Sequence, residues 1–254
     1  MVTDSTEPIV VAQQDGICTV SFNRPSKRNA ITQAMYTALA DALDQAEVNE
    51  ECRVVVFTGN SDCFTAGNDL KDFMAGLDNL ADAPVLRFLR TAAVFPKPMV
   101  AAVNGPAVGI GTTLLMHCDL VVAGEQASFQ LPFANLGLVP EFASSVLLPR
   151  LVGYPKAAEW LLLGQVFSAP EALAAGLINR AVPDAEVEQV ATTWAKQLAA
   201  QPPQALQATR RLMRETTEAE ILAAIEREAK VFQQRLQSPE FAAQVAKFFQ
   251  RPGG

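Results

Sequence analysis

Residues 97–141 read KPMVAAVNGPAVGIGTTLLMHCDLVVAGEQASFQLPFANLGLVPE. Their apolar patterning predicts a buried strand from Met99 to Asn104, a glycine-rich turn from Gly105 to Gly111 and an apolar helix to about Cys118. A second strand follows from Leu120 to Ala123. A strand, a glycine turn and a helix together present main-chain N–H groups at a helix N-terminus, where the dipole favours negative charge. The stretch ends in one acid, Glu141, inside an apolar run. The N–H groups read as holders of a developing oxyanion and Glu141 as the group that moves a proton. The same glutamate also reads as a helix N-terminal acid, because a helix is predicted over Glu141 to Val152 between Pro140 and Gly153.

Upstream, Ile9 to Ala12 and Ile17 to Phe22 read as a hairpin turning at Asp15-Gly16. Asn23 to Ala30 is a loop whose cations Arg24, Lys27 and Arg28 are either solvated or phosphate contacts. Helical spacing runs from Ile31 to Val48, with Thr32 or Asn29 as cap. Val54 to Phe57 is a short buried strand. In the polar loop that follows, small residues at Ala66 and Gly67 suggest close approach by a ligand or another backbone. Asp69 reads as the cap of the next helix. Asp78 to Pro84 is acidic, Ala-rich and expected to be mobile, and Val85 to Phe95 is helical.

Downstream, Tyr154 to Leu163 reads as a helix, Ala169 to Ala175 as a short helix with a Ser168/Glu171 capping box, and Ile178 to Val182 as a strand. Helices are then expected at about 186–200, 203–217, 218–236 and 239–250. Strands alternating with helices, closed by a helical tail, make this an α/β chain.

The 254 residues suit one large domain or a domain with a smaller appendage. Half are hydrophobic and 19% charged, as in globular proteins with a sizeable core. A net charge of −7 argues against nucleic acid as a partner, since no basic excess exists to displace counterions. Four cysteines without CxxC spacing read as buried free thiols. One histidine, His117, excludes a histidine-based metal cluster, and its apolar helix makes it a packed side chain. The N-terminal segment has no secretory pattern, no apolar run reaches about 18 residues, and the C-terminal RPGG is not a peroxisomal tripeptide. A cytoplasmic protein without membrane contact is the expectation.

The segments NRPSKRNAIT, VVVFTGNSDCFTAGNDL, KPMVAAVNGPAVGIGTTLLMHCDLVVAGEQASF, PFANLGLVPE and FSAPEALAAGLINRAV resemble, in order and spacing, the crotonase superfamily of enoyl-CoA hydratases and isomerases. The resemblance covers most of residues 9 to 185. It implies a spiral of ββα units over residues 1–190 and a helical C-terminal subdomain over 191–254 that builds homotrimers or dimers of trimers. Substrates would be thioesters of coenzyme A, with neither a separate cofactor nor a metal.

The resemblance assigns the two oxyanion donors to the main-chain N–H groups of Ala66 and Ile110. Ile110 stands where a middle glycine is common, and adds bulk near the thioester. Gly67, Asn68, Asp69, Gly109 and Phe133 would border the substrate. Arg24, Lys27 and Arg28 would meet the CoA phosphates, while Phe248 and Arg251 would reach a neighbouring subunit's adenine end, although amphipathic burial explains Phe248 equally well.

In hydratases of this superfamily two glutamates activate water, and the matching positions here are Thr113 and Phe133, neither of which can act as a carboxylate. Glu141 resembles instead the catalytic glutamate of peroxisomal-type Δ3,Δ2-enoyl-CoA isomerases. The implied activity is that isomerisation, in fatty acid degradation, with hydration weak or absent. Another enolate chemistry of the same fold (hydration, thioester hydrolysis, decarboxylation) and a CoA-binding homologue without catalysis remain as alternatives.

Overall fold

Nine strands form two sheets in a computed structural model that describes residues 6–59, 62–75 and 83–250. The larger sheet has the order β1-β2-β3-β4-β6-β9, built from β1 (Ile9–Gln14), β2 (Ile17–Phe22), β3 (Val54–Gly59), β4 (Met99–Val103), β6 (Leu120–Gly124) and β9 (Arg180–Val182). Within this sheet, among the described residues, only β1 and β2 pair antiparallel, through the expected hairpin. Asp15 and Gly16 both have positive φ there, as a tight two-residue hairpin requires. The smaller sheet joins β5 (Pro106–Val108), β7 (Ser128–Gln130) and β8 (Phe167–Ser168).

The central strands are apolar without alternation because both of their faces are covered. Val55, Phe57, Met99, Ala101 and Val103 join the main core. Val54, Val56, Val100 and Ala102 face a second cluster with Val187, Ala191 and Ala195 of α8 (Val187–Ala199). The boundary at residue 190 therefore falls inside a helix that covers the sheet.

The other helices are α1 (Gln33–Val48), α2 (Leu70–Ala75), α3 (Pro84–Val94), α4 (Ile110–Thr113), α5 (Ser144–Val152), α6 (Tyr154–Ala158), α7 (Ala169–Ala174), α9 (Pro203–Leu236) and α10 (Pro239–Gln250). Thr32 caps α1 by accepting from the Met35 N–H at 3.3 Å, which is worth about 1 kcal/mol. The predicted capping box of α7 is present.

A repeat positions the site. After β4 the chain adds β5 to the small sheet and enters α4. After β6 it adds β7. After β3 it makes a rudimentary version of the same move, with Thr65 bridging Ala107 in parallel before α2. This ββα repetition is the expected spiral, and it sets the segment after Thr65 beside the segment after Val108.

Four expectations need correction. The turn expected at Gly105 to Gly111 contains β5, because Pro106, Ala107 and Val108 find partners in Ser128, Phe129 and Gln130. The helix expected to reach Cys118 changes after Thr113 to a tighter 3-10 turn over Leu114–His117. The helices expected at 203–217 and 218–236 are one, since no Pro or Gly interrupts them. The helix expected from Glu141 starts at Ser144, because Phe142 and Ala143 both take φ 58°. Of the segment expected to be mobile, residues 78–82 lie outside the described residues and Pro84 opens α3. The four cysteines are free, as expected.

Candidate active site

Thr65 O accepts from the Val108 N–H at 3.0 Å, stitching two repeats together. The next residues in each repeat are then neighbours, and a Cβ on Gly67 would lie 2.9 Å from Val108 O. Gly67 also has φ +88°, so glycine is required there twice over.

The hydrogen bonds of this loop separate its donors. The Ala66 N–H donates to Arg28 O at 2.9 Å, the Gly67 N–H to Thr65 Oγ1 at 3.1 Å and the Asp69 N–H to Ile31 O at 2.9 Å. Among the described residues, the Asn68 N–H meets no acceptor. Ala66 was the expected oxyanion donor, and the structure corrects this: its amide is already engaged, and the available one lies two residues on. Ile110, the other expected donor, is the first residue of α4, where an N–H has no intrahelical acceptor.

Asn68 and Glu141 line one cavity, about 20 Å³ in volume and large enough for one water molecule. Val85, Leu86 and Leu89 of α3 and Ile225, Ala229 and Phe232 of α9 supply its apolar walls. The long helix α9 thus folds over the site.

Glu141 is 9% exposed, and its Oε1 accepts from Thr113 Oγ1 at 2.6 Å. Burial pushes its carboxyl up to about 8, the Thr113 hydrogen bond pulls against this, and the nearby charge of Glu228 adds to the rise. The side chain is spent on Thr113 rather than on the α5 N-terminus, so it is a desolvated carboxyl and not a partner of that helix dipole. Tyr36, fully buried on α1, donates to Asn68 Oδ1 at 2.5 Å. Burial and the charge of Glu141 hold its phenol well above the ordinary value.

Asp69 caps α2 as expected, accepting from the N–H groups of Lys71 and Asp72. It also holds Arg24 at 2.7 Å, and Arg24 donates to Ala30 O as well. That guanidinium therefore braces the loop instead of standing ready for a phosphate. Lys27 and Arg28 are exposed on the same loop. Gly109, at φ +56°, precedes α4, and its N–H is taken by Gln130 O at 2.9 Å. Phe133 is 6% exposed in the core, outside the lining of the Glu141 cavity. The side chain of Phe248 and all of Arg251 lie outside the described residues.

His117 is a packed side chain, as the sequence suggested. Its ring stacks on Phe142 with centroids 3.8 Å apart, Nε2 meets Phe142 O at 2.8 Å, and burial lowers it to about 3. It is therefore neutral at physiological pH and donates through Nε2. Asp119 is also structural, accepting from the Met99 N–H and from Arg210 Nε, each at 2.8 Å. Among the described residues no cluster of three metal-ligating side chains occurs, and no helix is long and apolar enough to cross a membrane.

Sequence reading missed three participants. Thr113 had counted only as an absent acid, yet it is the partner of Glu141. Tyr36 lay in the core face of α1. Glu228 did leave a signal: with Ile221, Ile225 and Phe232 it shares the buried stripe of α9, where a charge is out of place.

Comparison with known proteins adds a family match, two relatives and one solved structure. Residues 12–251 match the family model described as enoyl-CoA hydratase/isomerase. Enoyl-CoA delta isomerase 2 of Rattus norvegicus is 40% identical over 249 residues, which cover 96% of this chain and 63% of that relative. The chain therefore spans slightly less than two thirds of that protein. The 2,3-dehydroadipyl-CoA hydratase of Escherichia coli is 36% identical over 88% of each. Among solved structures, Pseudomonas aeruginosa OdaA superposes with a TM-score of 0.94 at 46% identity, over 97% of this chain and 100% of that one.

Proposed function

The chain belongs to the enoyl-CoA hydratase/isomerase family, and within it we propose that it is a Δ3,Δ2-enoyl-CoA isomerase acting on 3-enoyl-CoA thioesters. The supporting observation is the pairing of Glu141 with Thr113: one buried, proton-avid carboxyl stands in the cavity that Asn68 also lines. A C2 proton flanked by a thioester and a C3=C4 double bond is acidified, because its loss gives a dienolate. The carboxylate of Glu141 takes that proton and the electron pair moves into the thioester oxygen. The N–H groups of Asn68 and Ile110 stabilise the oxyanion by about 3 to 4 kcal/mol each, as in comparable sites. Protonated Glu141 then delivers the proton to C4, and the C2=C3 double bond forms in conjugation with the carbonyl. One acid serves both carbons, so a second is not needed.

A hydratase reading has one observation in its favour, the second carboxylate of Glu228 in the same cavity. Both oxygens of Glu228 are occupied by donors from Ala143 and Ser145, however, which leaves it poorly disposed to activate water. The proposal extends to a homotrimer or dimer of trimers, to cytoplasmic location and to a place in fatty acid degradation.

The test supplies 3-enoyl-CoA and follows the absorbance of the conjugated 2-enoyl thioester. Turnover is expected, with Glu141→Gln slower by at least about a hundredfold. Fast hydration of crotonyl-CoA, or full activity in Glu141→Gln, would sink the assignment. CoA binding without turnover of any enoyl thioester would point to the non-catalytic alternative.

A further inference from the structure

Glu228 lies 85 residues along the chain from Ala143 and 83 from Ser145, the two residues it holds. Its Oε2 accepts from the Ala143 N–H at 2.7 Å, and its Oε1 accepts from the Ser145 N–H at 2.9 Å and from Ser145 Oγ. Acceptance at both oxygens is the arrangement of an ionised carboxylate. The side chain is only 7% exposed and lines the same cavity as Glu141. Burial pushes its carboxyl up from the ordinary value, and the donors from Ser145 and Ala143 pull against that.

The residues between the two glutamates' attachment points are strained. Phe142 and Ala143 both take φ 58°, a left-handed conformation that side-chain-bearing residues keep only where their surroundings over-determine it. Two features do so: His117 grips Phe142 O, and Glu228 grips the Ala143 N–H. Among the described residues, the Glu141 carboxyl accepts from a single neutral hydroxyl. Two neighbouring carboxyls with such unlike surroundings divide the labour, the one with three donors keeping its charge and the other taking the proton.

We propose that Glu228 is a positioning residue for the reaction: it clamps the Phe142–Ala143 turn so that Glu141 stays aimed into the cavity, and its fixed charge makes Glu141 a stronger base. This rests on Glu141 being the group that transfers the proton. The groups facing Glu141 are Tyr36 from α1, Thr113 from α4 and Glu228 from α9. His117, against Phe142, is neutral, and Arg227 acts on Glu228 from the same helix. Of these, Glu228 supplies the negative charge. The helix α9 thereby becomes part of the proton-transfer machinery as well as a wall.

The test is an infrared titration of the protonated carboxyl band in the full-length protein, assigned to Glu141 by its loss in Glu141→Gln. In Glu228→Gln the midpoint is expected to fall by about one pH unit, a tenfold loss of proton affinity. The plateau kcat is expected to drop about tenfold with KM little changed. Glu228→Asp keeps the charge on a shorter arm, and should restore the midpoint while kcat stays low. A midpoint unmoved in Glu228→Gln, or one that falls as far in Glu228→Asp, overturns the proposal. Should Glu228→Gln fail to fold, Ser145→Ala deletes one donor at an exposed position. It should lower kcat about threefold by loosening the clamp, and an unchanged kcat would overturn it. The titration needs no turnover. A protein inactive toward 3-enoyl-CoA that still shows the midpoint shift would support the pairing and count against the reaction assigned above.

Discussion

Thr113 Oγ1 donates a 2.6 Å hydrogen bond to Oε1 of Glu141 across 28 residues of chain. The position where a hydratase would place an acid therefore holds a hydroxyl that serves the acid found elsewhere. In the proposed reaction, proton transfer belongs to one carboxyl with a neutral hydrogen-bond partner.

Thr113→Val removes the hydroxyl and keeps the side chain's shape. That hydrogen bond lowers the proton affinity of Glu141, so its loss moves the acid limb of the kcat/KM profile to higher pH. A hydrogen bond to a charged group is worth about 1.5 to 3 kcal/mol, so activity at neutral pH should fall at least about tenfold. An unmoved acid limb would show that the hydroxyl does not act on the base.

The pH dependence of stability has a definite sign. The folded chain holds the Glu141 proton up to about 8, against an ordinary value of 4.5. Stability from this group is therefore fully present below the unfolded value and is lost as pH rises through about 8. Glu141→Gln, always neutral, should gain Tm relative to the parent between about pH 5 and pH 9. A Tm difference that is flat with pH would contradict the burial of this proton.

The proposed oxyanion donors are main-chain groups, and Ile110 offers a way to delete one. Proline is tolerated at the first position of a helix, because the N–H it removes has no intrahelical acceptor. Ile110→Pro should fold and lose about 100- to 1,000-fold in kcat. Ile110→Gly keeps the donor and should stay within a few-fold of the parent. Equal losses in the two variants would remove Ile110 from the oxyanion hole.

Asp119 anchors the scaffold below the site through Arg210 Nε and the Met99 N–H. Asp119→Ala leaves the Arg210 guanidinium, 6% exposed, without its counter-charge. The expected loss is about 3 to 5 kcal/mol, a fall in Tm of roughly 10 °C by thermal melt. Arg210 also donates through Nη1 to Phe95 O, and a Tm within a degree or two of the parent would show that this bond suffices to hold it.

Much of the fold was legible because its signals are local. The hairpin turn at Asp15-Gly16, the Thr32 cap, the Ser168/Glu171 box and the apolar runs of β3 and β4 each rest on residues a few positions apart. Elements set by pairing with distant chain were not legible in the same way. β5 looked like part of a glycine turn, because only Ser128 to Gln130 make it a strand. The start of α5 shifted because the left-handed turn at Phe142–Ala143 is held by His117 and Glu228, from other parts of the chain.

At the site the division is sharper. The sequence by itself determined that Glu141 is the acid left in the ordered set of matching segments, that a glycine turn holding Ile110 leads into a helix, and that no carboxyl stands at Thr113 or Phe133. Only the tertiary structure decided which amide of the Ala66–Asp69 loop is available, since every residue but proline carries the same N–H. Its freedom depends on whether a distant carbonyl, here Arg28 O for Ala66, has already claimed it. The proton affinity of Glu141 was decided in the same way, by the closing of α3 and α9 over it. Desolvation is a property of what surrounds a group in space, and the chain's order carries it only indirectly.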